Sequence, residues 1–250
     1  MLITRIGHKL MIKLSPRLQI IYDMVPKCDT IADVGCDHGY LTISLLENKM
    51  ANKAIAMDVN KGPLESAKVN VEQANLSDQV TFRLSDGLAK LDESEADVIC
   101  ICGMGGALIK RILDARLMVA KSAKTLILEP QSEYRALREY LVENGFQFLD
   151  ESLCTEEGKI YPIMKVSFSG QRTELSDAEL EYGPIIIEKS PDLLQVLLEK
   201  NKREYTSILN KLESLQASEV TDPIQNRKAI LLNELELIQQ VELKRRKSHG

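Results

Sequence analysis

The stretch "IADVGCDHGYL", residues 31 to 41, places a glycine-rich turn directly after a short apolar run. This order predicts a strand, a tight turn and then a helix. A dinucleotide fingerprint, G-x-G-x-x-G, needs glycine at its second position, so that the backbone can approach a pyrophosphate. Here Asp37 stands at that position, and its carboxylate would repel a diphosphate. The turn therefore favours a cationic, amine-bearing ligand, and S-adenosylmethionine has an amino group, a sulfonium and no phosphate.

Two further carboxylates follow the next two apolar runs of the chain. Asp58 ends the run in "AIAMDVN", and Asp86 follows the run that ends in "RLSDG". A carboxylate like Asp58 can accept both ribose hydroxyls of a nucleoside, and Asp86 could accept from an adenine amine. Ligands of open α/β sheets bind at the carboxyl ends of the strands. Acids at three consecutive strand ends therefore predict one shared ligand site.

The next predicted strand ends in "CGMGG", residues 102 to 106. Glycines there permit close backbone approach, and Met104 offers a soft apolar contact. Many enzymes that methylate exocyclic amines carry Asn/Asp-Pro-Pro-Tyr at this place, and the chain lacks it. The stretch favours a flat base whose ring nitrogen has a free lone pair. A flexible turn before the next helix is the alternative interpretation.

Strand-like and helix-like segments alternate over the first two thirds of the chain. Ser15 and Pro16 predict the start of a first helix, which ends before Pro26. The predicted strands are 30–34, 53–57, 79–84, 96–102 and 125–128, and the helices between them are 40–47, 61–74, 107–113 and 133–144. Two β-like runs, 146–154 and 161–168, follow as a hairpin. The pattern predicts an α/β fold with a mainly parallel sheet, helices on both faces and an antiparallel edge.

The pattern changes after residue 170, which divides the chain into predicted domains 1–170 and 171–250. A heptad-like seam then appears, made of Leu194, Leu198, Asn201, Tyr205, Ile208, Leu212 and Leu215. Asp222-Pro223 ends that helix, and Leu231, Leu235 and Ile238 form one face of a second. We expect an antiparallel coiled-coil hairpin that could also form a weak homodimer. Met11 is a second candidate start, which would make residues 1–10 a dispensable extension.

The composition is that of a globular protein: 44% of the 250 residues are hydrophobic and 28% are charged. No apolar run is long enough to span a membrane, and the N-terminus lacks the apolar block of a signal peptide, so we expect a cytoplasmic protein. The net charge of −5 excludes a broadly basic nucleic-acid-binding surface, but the N-terminal segment is locally basic.

The cysteines lack the spacing of a zinc site or a disulfide framework, so we expect no metal. They are Cys28, Cys36, Cys100, Cys102 and Cys154.

The motifs "LSPRLQIIYDMVP", "IADVGCDHGYL", "AIAMDVNKGPLESAK", "RLSDGL", "CGMGG" and "EEGKIYPIMKV" together resemble the bacterial TrmK family of tRNA (adenine-N1)-methyltransferases. They occur in family order from about residue 14 to residue 168. The resemblance implies a Rossmann-like class I methyltransferase sheet followed by a small helical coiled-coil domain. It also implies methyl transfer from S-adenosylmethionine to N1 of adenine 22 in tRNA. Glu129 is a departure, because glutamine often precedes the proline of "LILEP" in the family.

The candidate site residues form three sets. The expected cofactor contacts are Asp33, Gly35, Cys36, Asp37, Gly39, Asp58, Val59, Asp86, Gly87, Gly103 and Met104. The catalytic candidates, which would position the base or stabilise the cationic product, are Asp37, His38, Met104 and Glu129, with Asp86 as a further carboxylate. The expected RNA contacts are Lys13 and Arg17 to phosphates and Tyr40 to a base.

Three other functions stay open at this point. The first is a methyltransferase that acts on a small molecule or a protein. The second is a non-catalytic module that binds the cofactor and assembles through its heptad helices. The third is a nicotinamide-dependent oxidoreductase, which Asp37 and the missing middle glycine disfavour.

Overall fold

Two units, Met1–Glu174 and Leu175–Gly250, make up the chain in a computed structural model. The structure describes residues 2–6, 9–189, 191–215 and 221–248. The sequence pattern placed the domain boundary after residue 170, and the structure divides the chain after Glu174. None of the helices in these ranges is long and apolar enough to cross a membrane.

A seven-stranded sheet forms the centre of the first unit, in the order β5-β4-β3-β6-β7-β9-β8. Its strands are β3 (Cys28–Val34), β4 (Ala51–Asp58), β5 (Val80–Leu84), β6 (Val98–Met104), β7 (Thr125–Pro130), β8 (Phe146–Glu156) and β9 (Lys159–Phe168). Strands β3 to β7 pair in parallel, and β9 runs antiparallel to both β7 and β8. The predicted Rossmann-like sheet with an antiparallel edge is confirmed. The chain order reverses between β3 and β6, and this switch point is where such sheets bind ligands.

Helices cover both faces of this sheet and enclose an apolar layer on each side. They are α1 (Pro16–Met24), α2 (Tyr40–Glu47), α3 (Lys61–Gln73), α4 (Gly106–Ala115), α5 (Leu117–Ser122) and α6 (Tyr134–Glu143). Along β3, Ala32 and Val34 belong to one layer and Ile31 to the other, and all three are buried. Burial on both faces explains why the strands read as continuous apolar runs.

The closing hairpin has a shorter turn than the sequence predicted. Strands β8 and β9 pair up to Glu156 and Lys159, beyond the expected ends at 154 and 161. Glu157 and Gly158 form the whole turn, with φ values of +50° and +74°. Two consecutive positive φ values match the right-handed twist of the strands. The extra ladder residues bring Glu156 to the carboxyl end of β8.

Several elements were not predicted from the sequence. Strands β1 (Leu2–Ile6) and β2 (Lys9–Lys13) pair antiparallel, and they overlap residues 1–10, which we considered a dispensable extension. A 3₁₀ turn (Ser77–Gln79) precedes β5, and the short helix α5 was missed. The 3₁₀ turn and α5 are too short for a helical period to identify them.

The second unit contains two short helices and two long ones. They are α7 (Asp177–Tyr182), α8 (Pro184–Lys189), α9 (Asp192–Glu213) and α10 (Asp222–Ser248). The long helices are antiparallel, because Lys202 pairs with Glu242 at 3.2 Å and Gln195 contacts Arg245. The expectation of a two-helix hairpin was incomplete, since α7 and α8 also pack on α10.

The heptad seam is only partly buried in this unit. Leu194 and Leu198 are fully buried, as are Leu231 and Ile238 of the facing helix. The remaining seam positions of α9 are half-buried, and Leu209, outside the predicted seam, is buried instead. The packing therefore departs from a regular two-stranded coiled coil toward the end of α9.

A buried ion pair joins α6 to β8. Arg138 Nε lies 3.0 Å from Glu151 Oε1, and the two side chains are 1% and 0% exposed. We expect Glu151→Ala to lower the free energy of unfolding by about 3–5 kcal/mol, because it leaves a buried guanidinium without its carboxylate. Hydrogen exchange of peptides from α6 and β8 across a urea series measures the change for this unit.

Glu139→Ala is the matched control, because it breaks the partly exposed Arg135–Glu139 pair on the same helix. It should cost less than about 1 kcal/mol. Equal losses of unfolding free energy in the two variants would show that the buried pair stabilises this unit no more than the partly exposed one.

Candidate functional site

The turn after β3 is held by one carbonyl of the neighbouring strand. The N–H groups of Gly35 and Cys36 both donate to the Met57 carbonyl of β4, at 2.8 and 3.0 Å. Gly35, Asp37 and Gly39 all have positive φ, at +78°, +47° and +71°. Glycine suits such positions, and aspartate is among the few side chains that tolerate them. The turn therefore leaves β3 sharply and starts α2 directly at Gly39.

A cavity of about 310 Å³ lies beside this turn, at the carboxyl ends of β3 and β6. One side is the turn itself with the first residues of α2, and the other includes residues of α1, of the end of β6 and of the segment after β7. Eight of the predicted residues line it: Arg17, Asp33, Gly35, Cys36, Asp37, His38, Tyr40 and Gly103. The sheet therefore brings most of the candidate residues into one concave site.

Asp33 is the buried acid of the cavity wall. It is 6% exposed, and its Oδ2 accepts a hydrogen bond from Thr42 Oγ1 at 2.7 Å. Burial raises the pKa of Asp33 to about 6, and the charge of Asp58 adds to this, while the bond from Thr42 opposes it. Asp58 is itself nearly buried, and its Oδ1 accepts from the Asn60 N–H at 2.8 Å. Two buried carboxylates in close electrostatic contact create a strong preference for a cation.

Because Gly35 has no side chain, the end of the Met104 side chain can lie directly against it. A Cβ built on Gly35 would lie 2.4 Å from Met104 Cε, well inside van der Waals contact. The methionine from the end of β6 therefore covers the turn after β3. The predicted pair Gly35 and Met104 is thus in direct contact across the switch point.

Glu129 is fully buried behind the other wall of the cavity. Its Oε2 accepts from the Gly103 N–H at 2.6 Å and from Arg17 Nη1 at 3.0 Å. Arg17 Nε also donates to Glu156 Oε2 at 2.6 Å. Burial raises the pKa of Glu129, and the neighbouring Arg17 charge opposes this shift. The carboxylate thus ties α1 to the end of β6 through two residues that line the cavity.

Two aromatic rings stand at the start of α2. The rings of His38 and Tyr40 lie 5.4 Å apart and are tilted by 34°. The side chain of His38 is 48% exposed, and that of Tyr40 is half-buried. Both face the cavity, so they offer a flat apolar surface for a base.

Some predicted residues lie outside this cavity. Asp86 lines a second cavity of about 310 Å³ with Arg111 and Arg116, and Gly87 packs against Ile112. Val59 is exposed after Asp58, and Lys13 is exposed at the end of β2. Gly39 is in the turn, where a Cβ would lie 3.2 Å from Ala67 Cβ. Asp58 does not line this cavity either, so of the three predicted strand-end acids Asp33 lines it, and Asp58 and Asp86 do not.

The sequence analysis missed several residues that the structure places at the site. Leu18, Leu41, Cys102 and Gln131 line the cavity, and Glu156 holds Arg17. Gln131 had a usable signal, because it lies three residues after the predicted strand 125–128, near the carboxyl edge of the sheet. Glu156 had none, since only the hairpin pairing brings it to α1.

No group of three or more His, Cys, Asp or Glu side chains is arranged for a metal ion within the residues that the structure describes. The groups that the site offers to a ligand include carboxylates, glycines, aromatic rings and an amide. Its acidic wall and narrow turn fit a cationic ligand without phosphates.

Comparison with known proteins agrees with this geometry. The model of the family "TrmK: tRNA (adenine(22)-N(1))-methyltransferase" matches residues 31–236. The tRNA (adenine(22)-N(1))-methyltransferase of Bacillus subtilis strain 168 is 34% identical over 238 residues, which cover 92% of this chain and 97% of that protein. The crystal structure of the B. subtilis M1A22 tRNA methyltransferase TrmK matches with a TM-score of 0.82 and 30% identity, over 92% of this chain and 98% of that one.

Two similar structures contain the cofactor or its product. A Streptococcus pneumoniae protein in complex with S-adenosyl-L-methionine has a TM-score of 0.77 and 32% identity, and covers 92% of this chain and 99% of its own. M. capricolum TrmK in complex with S-adenosyl-homocysteine has a TM-score of 0.75 and 28% identity, over 90% and 99% of the two chains. The chain belongs to the TrmK family of tRNA (adenine(22)-N(1))-methyltransferases.

Proposed function

We propose that this chain transfers the methyl group of S-adenosylmethionine to N1 of adenine 22 in tRNA. The observation that supports this most is the cavity at the switch point, where buried Asp33 lies beside a turn unsuited to a diphosphate. Membership of the TrmK family supports the same reaction and the same nucleotide. A nicotinamide-dependent oxidoreductase would need a turn that attracts the diphosphate of its cofactor, whereas a carboxylate in this turn repels one.

The residues of the cavity fit S-adenosylmethionine. The methionine part of the cofactor has an ammonium group that suits the side of the cavity lined by buried Asp33 and exposed Asp37. Gly35 lines the same cavity, and the space that a Cβ would take there holds the end of the Met104 side chain. We assign Asp58 to the ribose hydroxyls, as acids at this strand position commonly bind them. The contact of Asp86 with the adenine of the cofactor stays a prediction.

S-adenosylmethionine, when bound, supplies a methyl group that its sulfonium already activates. The chain must therefore mainly align the acceptor nitrogen with that methyl and exclude water. N1 of adenine is a neutral nucleophile with a lone pair in the plane of the ring, so it needs no base before attack. Adenine must leave its stack to expose N1, and His38 and Tyr40 offer a surface for the extruded ring.

Methylation moves the positive charge from the sulfonium of the cofactor to the base. The site must therefore accommodate a cation first at the sulfonium and then at the base. Exposed Asp37 and buried Asp33 lie on the same side of the cavity. Glu129 is too deeply buried to be the first choice for a base contact, and we assign it to positioning Gly103 and Arg17. Arg17 and exposed Lys13 are proposed to contact RNA phosphates near the entrance.

We further propose that residues 1–170 act as the methyltransferase domain and that the helices after residue 170 assist RNA binding, in the cytoplasm, where tRNA is modified. Self-association through α9 and α10 stays a prediction. Large apolar side chains exposed on these helices support it: Val196, Ile230, Leu232 and Leu243. Sedimentation velocity at micromolar concentrations measures it directly.

The proposed reaction is tested with purified protein, S-adenosylmethionine and an unmodified tRNA transcript. Mass spectrometry of digested tRNA should find one N1-methyladenine per molecule, at position 22. A transcript with guanine at that position is the control and should stay unmodified. Methylation of proteins or metabolites in extracts, with none in tRNA, would support the small-molecule or protein alternative and overturn the proposal.

Gly35→Ala should weaken S-adenosylmethionine binding at least about tenfold, because the new Cβ needs a positive φ and meets Met104. Isothermal titration calorimetry measures the affinity. Gly62→Ala is the control, since a Cβ there has no neighbour within 4 Å. Parental affinity in Gly35→Ala would contradict the assignment of this turn to the cofactor.

Binding of S-adenosylmethionine should strengthen about tenfold between about pH 5 and about pH 7, because ionised Asp33 attracts the ammonium group. The pKa of Asp33 rises from 3.8 to about 6 on folding, so ionisation is harder in the folded state. The stability of the ligand-free chain should therefore change in the opposite direction, and fall as pH increases through about 6. Calorimetry and thermal unfolding measure the two trends.

Asp33→Asn should remove both trends. The series is measured in a His38→Gln background, because the imidazole faces the same cavity. If Asp33→Asn retained the pH dependence of cofactor affinity, another group would be responsible and the assignment of Asp33 would be wrong.

A further inference from the structure

A carboxamide stands at the mouth of the cavity, on a backbone that is fixed at both ends. Gln131 follows Pro130, the last residue of β7, and its N–H donates to the Met104 carbonyl at 2.8 Å. Its own carbonyl accepts from Tyr134 Oη at 3.2 Å. The position of this residue is therefore set by β6 and α6 together.

The side chain of Gln131 has no such constraint. The residue is exposed, it lines the cavity, and its amide makes no hydrogen bond within the part of the chain that the structure describes. It is the one carboxamide among the cavity-lining residues of that part. The other lining groups are acids, a guanidinium, aromatic rings, apolar side chains, two cysteines and backbone. Only the amide offers one donor and one acceptor side by side.

Adenine needs such a partner if N1 is to react. Its N1 must stay open to the methyl group, so a residue that paired with N1 and the N6 amine would block the reaction. The opposite edge offers N7 as an acceptor and the second N6 hydrogen as a donor. Asn and Gln bind this edge with two hydrogen bonds, and guanine lacks the matching pattern.

We propose that Gln131 determines specificity for adenine by binding N6 and N7 of the target base, which leaves N1 directed to the cofactor. The inference rests on the proposed function and names the residue that selects the base within the same site. Gln131 holds the base at the mouth of the cavity, while the rings of His38 and Tyr40 offer the stacking surface on the side of the turn.

The test combines enzyme variants with base analogues in tRNA. Gln131→Leu removes donor and acceptor, and kcat/KM for tRNA should fall about 5- to 150-fold. Calorimetry should find its affinity for S-adenosylmethionine within about twofold of the parent, which shows that the variant is folded. Gln147→Leu is the matched control, because this glutamine is exposed on the edge strand β8, outside the cavity, and among the described residues its side chain bonds to Ser167 alone. It should leave kcat/KM unchanged.

A tRNA with 7-deazaadenine at position 22 replaces N7 by a C–H group. For each enzyme, the ratio of kcat/KM on this tRNA to kcat/KM on normal tRNA is measured, so that the altered reactivity of N1 cancels between enzymes. The ratio should be lowest for the parent and higher for Gln131→Leu, which has no bond to N7 to lose. It should be highest for Gln131→Glu, because its carboxylate repels N7 and the analogue removes that repulsion.

Equal ratios for all three enzymes would overturn the inference, as would parental kcat/KM in Gln131→Leu. The proposed function fails separately, if the parent enzyme forms no N1-methyladenine at position 22 of normal tRNA.

Discussion

The carbonyl of Met57 accepts two N–H groups from the turn after β3, and the site depends on this arrangement. Parallel pairing of β3 with β4 places Met57 opposite Val34, where the chain leaves the sheet. Three positive φ values then reverse the backbone within five residues and start α2 at the edge of the cavity. Without this turn, Asp33, His38 and Tyr40 would have no common surface to face.

Two buried acids, on opposite sides of the cavity, are compensated in different ways. Glu129 accepts from a backbone N–H and a guanidinium, and its charge holds the protein together. Asp33 accepts from one hydroxyl and lies near Asp58, and within the described residues no cation is paired with its charge. A positively charged ligand supplies what Asp33 lacks, and this difference separates the binding acid from the positioning acid.

The sequence predicted the sheet, the turn and most of the cavity, because these depend on local signals. Ser15 caps α1 as expected, with its Oγ accepting from the Leu18 N–H. The sequence did not predict the contact of Arg17 with Glu156, which arises from pairing between β8 and β9 far along the chain. It also grouped Asp86 with Asp33 from strand order alone, whereas the side chain of Asp86 lines the second cavity, next to Arg116. Side-chain direction and long-range pairing are not contained in a periodic pattern.

We propose that the cavity beside Asp33 holds the methionine part of the cofactor. A crystal structure of this chain with S-adenosyl-homocysteine tests it most directly. We expect to find the amino group of the ligand beside Asp33, its amino-acid part against Gly35 and its ribose at Asp58. A ligand bound only in the second cavity, beside Arg111 and Asp86, would contradict the assignment of the cofactor to the cavity beside Asp33.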